Sequence, residues 1–226
     1  MKKGILVLIA LLCASTSLRA EPDVNKLKRR IHLIQEGAEG WCSEEKAQTF
    51  ADLVLKVQPK VCVEIGVFGG ASMIPVACAL KCLGSGIIIG IDPWDNAECV
   101  KYLDYGEDKE HIDWWSSVKL NFVYYHFLDK LILYELEDYC RILKMTSDRA
   151  VSEIGEIDIL HIDGQRSQEQ TLQDAKTYFP KVVPGGYIWV GDTLFYNKQK
   201  AVDFLLERCD IETVVDNGNC VLFKKR

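Results

Sequence analysis

The sequence predicts an α/β fold: a doubly wound, seven-stranded sheet with helices on both faces and an antiparallel last strand. Short β-branched runs alternate with helix-like segments along the chain, which is typical of strands joined by crossover helices. The run Val61–Ile65 leads into a glycine-rich turn and then into an apolar segment with helical spacing. Near the C-terminus, the segments 212–215 and 220–223 flank an Asn-Gly dipeptide, which predicts a hairpin with a two-residue turn.

Residues 1–20 have the three-part layout of a secretory signal peptide. Two lysines follow Met1, the run from Gly4 to Ala14 is apolar and uncharged, and small residues precede a cleavage site after Ala20. This run is shorter than the roughly 20 residues that span a bilayer, so no stable membrane span is expected after cleavage. We therefore expect an exported protein, periplasmic or secreted, while an uncleaved membrane anchor or a misassigned start stays open.

Residues 21–226 are predicted to form one domain with an N-terminal helical cap. A chain of 226 residues is long enough for one well-buried α/β domain and too short for two of ordinary size. The cap is a charged amphipathic helix over 23–37. Ser43 is a suitable N-cap for a second helix, which has acids in its first turn and ends at Gln58-Pro59. Further strands are expected at 87–91, 141–145, 157–162 and 187–190, and further helices at 72–83, 114–134, 167–179 and 198–208.

Composition restricts the partners. The 33 acidic residues outnumber the 27 basic ones, which gives a formal charge of −6. Nucleic-acid binding needs a basic surface, so no nucleic-acid partner is expected. The nine cysteines show neither Cys-x-x-Cys nor a Cys/His metal spacing. We interpret most of them, including Cys62, Cys78, Cys82 and Cys220, as small apolar core residues, and the redox compartment stays open.

The most informative segment is the glycine-rich turn after the first predicted strand. Glu64 precedes it by two residues, and its glycines follow the order Gly-x-x-Gly-Gly from Gly66. This differs from the Gly-x-Gly-x-x-Gly of dinucleotide binders and favours S-adenosylmethionine over NAD. Asp92 ends the second predicted strand, where a carboxylate in an open α/β sheet holds a nucleoside.

Residues from about 40 to 223 resemble class I S-adenosylmethionine-dependent methyltransferases, which have a Rossmann-like sheet. The similarity is greatest to the bacterial branch that groups cephalosporin-hydroxylase-like and sugar O-methyltransferases. It rests on four segments that keep the family's order, namely Glu64–Ser72, Gly90–Trp94, Leu160–Gly164 and Pro184–Asp192.

The resemblance implies cofactor roles at the carboxyl ends of the first three strands. Asp92 would accept hydrogen bonds from the ribose hydroxyls, and Ser147 and Asp148 would lie near the adenine. Glu64, Gly66 and Gly69 would shape the pocket for the methionine part, and Ser72 belongs to the predicted cofactor-binding set.

An aromatic group follows the predicted ribose acid. Trp94 is the first candidate for a lid over cofactor and acceptor, and it belongs to the predicted cofactor set. The other lid candidates are Trp114, Trp115, Tyr124 and Tyr125. Core packing is the alternative for these aromatic residues on helices.

The resemblance also implies a metal. Asp163 and Asp192 would correspond to carboxylates that hold a divalent ion, with Mg²⁺ suited to oxygen ligands, in metal-dependent O-methyltransferases. Helix capping is the alternative for both. The chain departs from the family's pattern, since Thr193 is a poorer ligand than the usual acid or asparagine. His161 is expected to be structural, with its side chain in packing.

The predicted catalytic residues are Asp163 and Arg166. Many relatives carry a base just after the glycine of the fourth-strand motif, whereas this chain has Gln165 and Arg166, which accept no proton near neutral pH. Arg166 could pair with an anionic substrate or with Glu169 on the surface.

The leading functional hypothesis is an S-adenosylmethionine-dependent methyltransferase that acts on an oxygen of a small-molecule acceptor. The alternative is an exported, catalytically degenerate binding protein on the same scaffold. A nucleotide-sugar or NAD-dependent enzyme is a third hypothesis, opposed by the glycine spacing and by the absence of a Tyr-xxx-Lys pair. Formation of a homodimer stays open.

Overall fold

The computed structural model describes residues 23–104, 106, 108–164 and 167–226. The predicted signal peptide and the predicted roles of Gln165 and Arg166 lie outside the described residues. Within the described ranges, no helix is both long enough and apolar enough to cross a membrane.

The sheet has seven strands and the predicted doubly wound topology. The strands are β1 Val61–Ile65, β2 Ile87–Ile91, β3 Cys140–Leu143, β4 Ile157–Ile162, β5 Val182–Gly191, β6 Cys209–Val215 and β7 Cys220–Lys225. Their order is β3-β2-β1-β4-β5-β7-β6. Strand β7 runs antiparallel to both β5 and β6, while the other neighbouring pairs are parallel. The predicted fold class, including the antiparallel last strand, is confirmed.

The first two helices begin after the capping residues that the sequence offers. The helices are α1 Val24–Gln35, α2 Glu44–Val57, α3 Met73–Leu83, α4 Asn96–Val100, α5 Lys109–Ser117, α6 Leu120–Leu133, α7 Ser147–Ala150, α8 Gln168–Tyr178 and α9 Gln199–Leu206. Asp23 accepts a hydrogen bond from the Lys26 amide, and Ser43 accepts one from the Lys46 amide. Side-chain acceptors at this position satisfy amides that have no partner within the helix.

The single helix predicted over 114–134 is wrong. The structure ends α5 at Ser117 and begins α6 at Leu120, with Val118 in an extended conformation (φ −64°, ψ 132°). Asn96 donates its side-chain amide to the carbonyls of Trp115 and Val118, at 2.6 and 2.9 Å. These side-chain hydrogen bonds replace the backbone ones that a continuous helix would make.

The fifth strand and the last hairpin differ from the sequence prediction. Strand β5 begins at Val182 rather than at 187, so Pro184-Gly-Gly lies inside it, where the pairing register with β4 shifts between Ile157 and Ile159. Strands β6 and β7 are joined by four residues, 216–219, rather than by a two-residue turn, because Val215 pairs with Cys220. The chain reverses through three successive residues with positive φ, Asp216, Asn217 and Gly218.

The core has one layer on each face of the sheet. One layer includes buried residues of α1, α2, α3 and α6, and the other includes residues of α8 and α9. Cys62, Cys78, Cys209 and Cys220 are buried free thiols, as interpreted from the sequence for three of them, whereas Cys82 is half-buried. The first layer holds the N-terminal turn of α2 at the carboxyl edge of the sheet, where the candidate site lies.

Candidate functional site

The glycine turn after β1 packs directly against the loop after β4. The Gly66 amide donates to the Ile91 carbonyl at 2.9 Å, and the Asp163 amide donates to the Ile65 carbonyl at 2.9 Å. Gly66 has a φ of +89°, and a Cβ there would lie 2.5 Å from the Gly164 Cα. Only glycine satisfies both the left-handed conformation and this close approach of two backbones.

Asp92 fixes the glycine turn through its carboxylate. One oxygen, Oδ2, accepts hydrogen bonds from the amides of Val67 and Phe68, each at 3.0 Å. The other oxygen, Oδ1, accepts from the Trp94 amide at 2.7 Å. Burial raises the pKa of Asp92, and these three amides oppose the rise. The carboxylate still has acceptor capacity for a ligand, because its two oxygens offer about four lone-pair sites.

A cleft of about 590 Å³ opens at the carboxyl edge of the sheet. Seven of the predicted site residues line it: Gly66, Ser72, Asp92, Ser147, Asp148, Asp163 and Asp192. A volume of this size falls in the usual range for small-molecule and cofactor sites. The fold therefore brings together, in one cleft, predicted site residues that follow five different strands.

Three predicted cofactor residues do not line the cleft. Glu64 is buried behind it and accepts a hydrogen bond from the Ser72 hydroxyl at 2.6 Å. A Cβ at Gly69 would lie 2.5 Å from the Glu39 carbonyl oxygen, so this glycine admits the neighbouring chain segment. Trp94 is 3% exposed and donates its indole N–H to the Phe68 carbonyl at 2.8 Å. Glu64 and Trp94 therefore hold the segment 66–72 from behind, and Gly69 lies within that segment.

Lys46 is a site residue that sequence reasoning missed. Its ammonium lies 3.1 Å from Asp163 Oδ2, with 5% of the Lys46 side chain and 17% of the Asp163 side chain exposed. The sequence did contain a signal. Lys46 precedes Phe50 by four residues and Val54 by eight, so it shares the buried face of α2 with them.

His161 lies between two predicted site carboxylates. Its Nδ1 is 3.4 Å from Glu64 Oε2, and its Nε2 is 3.5 Å from Asp163 Oδ2. The ring also packs edge-on against Phe50, with centroids 4.9 Å apart. The side chain of His161 is packed, as the sequence predicts, and the structure adds its position between Glu64 and Asp163.

Asp163 is held in its ionised form. Burial acts to raise the pKa of this carboxyl, but the charges of Lys46, His161 and Lys198 together lower it to about 2. The same pairing raises the pKa of Lys46 well above its usual range, against the lowering effect of burial. A carboxylate with such a low pKa is a weak base near neutral pH.

An aromatic cluster stands at the mouth of the cleft. It consists of Trp41, Phe68, Trp114 and Trp115, with neighbouring ring centroids 4.7–6.3 Å apart. Trp41, Phe68 and Trp115 line the cleft itself. Two predicted lid residues therefore belong to the mouth, while Trp94 stacks on Phe127 in the core.

A second buried carboxylate, Asp174 on α8, adjoins the predicted adenine end of the cleft. Its Oδ1 accepts from the Ser147 hydroxyl at 2.6 Å and from the Gln170 side-chain amide at 3.2 Å. The Tyr178 hydroxyl donates to the Ser147 carbonyl at 2.7 Å. Burial raises the pKa of Asp174 to about 6, although these hydrogen bonds oppose the rise. Sequence reasoning missed Asp174 because it lies within a helix rather than at a strand end.

We expect Asp174→Asn to flatten the dependence of stability on pH between pH 4 and 6. The folded-state pKa of about 6 lies above the usual 3.8, so the folded chain holds the proton over this interval and loses stability as pH rises. The shift corresponds to about 3 kcal/mol, fully lost above pH 6. Urea unfolding at several pH values measures it, with the exposed Asp129→Asn as the control. Parallel curves for Asp174→Asn and the wild type would contradict the assignment.

Comparison with known families decides which class of protein this site belongs to. Residues 63–193 match the family model described as "Methyltransferase domain", which is more than half of the chain. The chain belongs to this methyltransferase family. The predicted family is thereby confirmed, and the match begins in β1 and ends just after β5, so it includes the glycine turn and the cleft's acidic residues. The search of curated proteins finds no match.

Solved methyltransferases share the fold at low sequence identity. An O-methyltransferase from Bacillus cereus in complex with S-adenosylhomocysteine is 13% identical, with a TM-score of 0.58 over 88% of this chain and 91% of the other. TomG from Streptomyces achromogenes, an O-methyltransferase of tomaymycin synthesis in complex with S-adenosylmethionine, is 14% identical, with a TM-score of 0.59 over 94% of each chain. S-adenosylhomocysteine-bound PaMTH1 from Podospora anserina is 12% identical, with a TM-score of 0.59 over 91% and 88%.

The methyltransferase site does not offer a fitting set of metal ligands in the described ranges. No group of three or more His, Cys, Asp or Glu side chains there could hold a metal ion. Asp163 is paired with Lys46, and Asp192 accepts from the Asn219 side-chain amide at 3.3 Å. The Thr193 hydroxyl donates to the Gly218 carbonyl at 2.5 Å. The predicted Mg²⁺ site at Asp163 and Asp192 stays a prediction that this donor set does not favour.

Proposed function

We propose that the chain binds S-adenosylmethionine in this cleft and transfers its methyl group to an oxygen atom of a small-molecule acceptor. The observation that carries the proposal is the Asp92-anchored glycine turn, which forms one wall of the cleft within the residues matching the methyltransferase family. O-methyltransferases with the same fold, solved with S-adenosylmethionine or S-adenosylhomocysteine bound, support the choice of cofactor and of oxygen as the acceptor atom.

The chain would contribute mainly by positioning. S-adenosylmethionine supplies an electrophilic methyl group; the acceptor oxygen bonds to that carbon as its bond to sulfur breaks, which leaves a neutral thioether. Asp92 would hold the ribose, and Ser147 and Asp148 would lie at the adenine. The aromatic cluster would cover the acceptor and limit its approach.

Proton removal shapes the choice of acceptor. The proton of the acceptor hydroxyl must leave during transfer, and Asp163 would hold it poorly because its carboxylate is already paired with the Lys46 ammonium at 3.1 Å, which lowers its pKa. We therefore propose an acceptor whose hydroxyl group is itself acidic and gives its proton to water in the cleft. Export of the protein, predicted from residues 1–20, is part of this proposal.

The alternative function is an exported binding protein that has kept the cofactor cleft and lost turnover. The specific observation in its favour is the buried Lys46–Asp163 ion pair, which engages a carboxylate that the resemblance assigns to catalysis. Cofactor binding is common to both functions, so only turnover separates them.

Calorimetric titration of the chain from Glu21 with S-adenosylmethionine, S-adenosylhomocysteine and NAD tests the proposal. We expect one site with micromolar affinity for the first two, which is about −8 kcal/mol, and no heat from NAD. Transfer of a labelled methyl group to a panel of acidic hydroxyl compounds then tests turnover. Binding without transfer to any member would favour the alternative, and absence of binding to both sulfur compounds would refute both functions.

A further inference from the structure

The Lys46–Asp163 ion pair occupies the position where the family resemblance implies a metal. Lys46 reaches it from the first turn of α2, and Asp163 follows directly after β4. The ammonium lies 3.1 Å from Oδ2, and both side chains are largely buried. Two ions in such a place are retained only when they compensate each other, because an unpaired buried charge is costly.

The other oxygen of the carboxylate lies against the backbone of β5. A Cβ at Gly191 would lie 2.2 Å from Asp163 Oδ1, so the carboxylate rests against the backbone where any other residue would place a side chain. Lys46 contacts one oxygen and Gly191 borders the other. Asp192, the second predicted ligand, has a φ of +57° and directs Oδ1 to Asn219.

Positive charge at this position comes from the chain itself. The Lys46 ammonium also lies 5.7 Å from the centroid of the Phe50 ring, and the Lys198 ammonium lies 3.5 Å from the Gly164 carbonyl oxygen. Lys46 does not line the cleft, so it would act through Asp163, which does. Lys46 is therefore a positioning residue rather than a catalytic one.

We propose that Lys46 supplies the positive charge that a divalent ion would otherwise supply beside Asp163, so that the cleft binds its cofactor without a metal. The proposal rests on the proposed function only for the identity of the cofactor. Its core statement, that an internal ammonium takes the place of a divalent ion, concerns Lys46 and Asp163 alone.

Titration with Mn²⁺, followed by electron paramagnetic resonance of the free ion, tests this replacement. We expect no saturable Mn²⁺ site in the wild-type chain up to 1 mM, on the scale of weak protein sites of about 10⁻³ M. In titrations extended to 5 mM Mn²⁺, Lys46→Ala should gain one weak site of about 10⁻³ M, because Asp163 then offers its oxygens to an ion with few neighbouring ligands. Lys46→Ala combined with Asp163→Asn should lose this site. The control is Lys56→Ala, which removes an exposed lysine of the same helix paired with Glu212 at 2.9 Å.

Two outcomes would overturn the proposal. One is a saturable Mn²⁺ site in the wild-type chain that disappears in Asp163→Asn, since the lysine would then coexist with a metal. The other is a folded Lys46→Ala chain that binds no Mn²⁺, since the ammonium would then not stand where an ion can bind. If Lys46→Ala does not fold without metal, circular dichroism of the same variant in 5 mM Mn²⁺ decides the question: folding there supports the replacement, and an unfolded chain there contradicts it.

A parallel titration of the wild-type chain with S-adenosylhomocysteine, in EDTA and in Mg²⁺, separates this proposal from the proposed function. Equal affinity in both solutions supports a metal-free cleft, and affinity that requires Mg²⁺ contradicts it. Failure to bind S-adenosylhomocysteine in either solution would refute the proposed function and leave the Mn²⁺ result to decide the role of Lys46.

Discussion

Replacing Asp92 by alanine is expected to abolish S-adenosylhomocysteine binding and to lower the free energy of unfolding by about 3 kcal/mol. The substitution removes the acceptor for three backbone amides, those of Val67, Phe68 and Trp94. Each amide that stays buried without a partner costs about 1–3 kcal/mol, and partial access of water reduces the sum. The glycine turn would also lose the group that fixes it against β2. Calorimetry and urea unfolding measure the two effects.

Asp158 provides a matched control for this experiment. Its Oδ2 also accepts two successive amides, those of Lys60 and Val61, at 2.8 and 2.9 Å, but at the opposite end of β1. Asp158→Ala should therefore reduce stability while cofactor affinity stays within a factor of about three of the wild type, less than 1 kcal/mol. Equal cofactor affinity in the Asp92 and Asp158 variants would show that Asp92 has no role in binding.

Gly66→Ala is expected to have the second large effect. The new Cβ would lie 2.5 Å from the Gly164 Cα, and the residue has a φ of +89°. The atoms nearest to this Cβ belong to the backbone of Asp163 and Gly164, which cannot rotate away as a side chain can. The loops after β1 and β4 must therefore separate. We expect a loss of about 3 kcal/mol or more from strain and overpacking, together with loss of cofactor binding. Thermal unfolding and calorimetry measure these losses.

Gly155→Ala is the control for the Gly66 substitution. Nothing lies within 4 Å of a Cβ at Gly155, which does not have a positive φ. The melting temperature of the Gly155→Ala chain should stay close to that of the wild type. Equal melting temperatures for Gly66→Ala and Gly155→Ala would contradict the prediction. They would show that the loops after β1 and β4 can separate at little cost in free energy.

The parts of the site that follow from local patterns could be predicted from the sequence. Gly66 and Asp92 belong to strand-to-turn segments whose composition indicates both the strand and its end. Lys46 pairs with a residue 117 positions away, so no local pattern names its partner. The sequence places Trp94 on the cofactor side because it follows Asp92. Its positive φ of 44°, which no local pattern indicates, accompanies a side chain that lies in the core.

The pairing of β1 with β4 has a consequence for how the chain acquires its cleft. Residues Cys62 and Ile159 are register partners in the centre of the sheet, although almost half of the chain separates them. Pairings over such distances form slowly, because a long loop must close before any contact rewards it. During synthesis, one edge of β1 stays unpaired until β4 has left the ribosome. An unpaired strand edge can form hydrogen bonds with other chains and so promote aggregation. The cofactor cleft is thus assembled late, and cofactor could stabilise the finished domain but not guide its first steps.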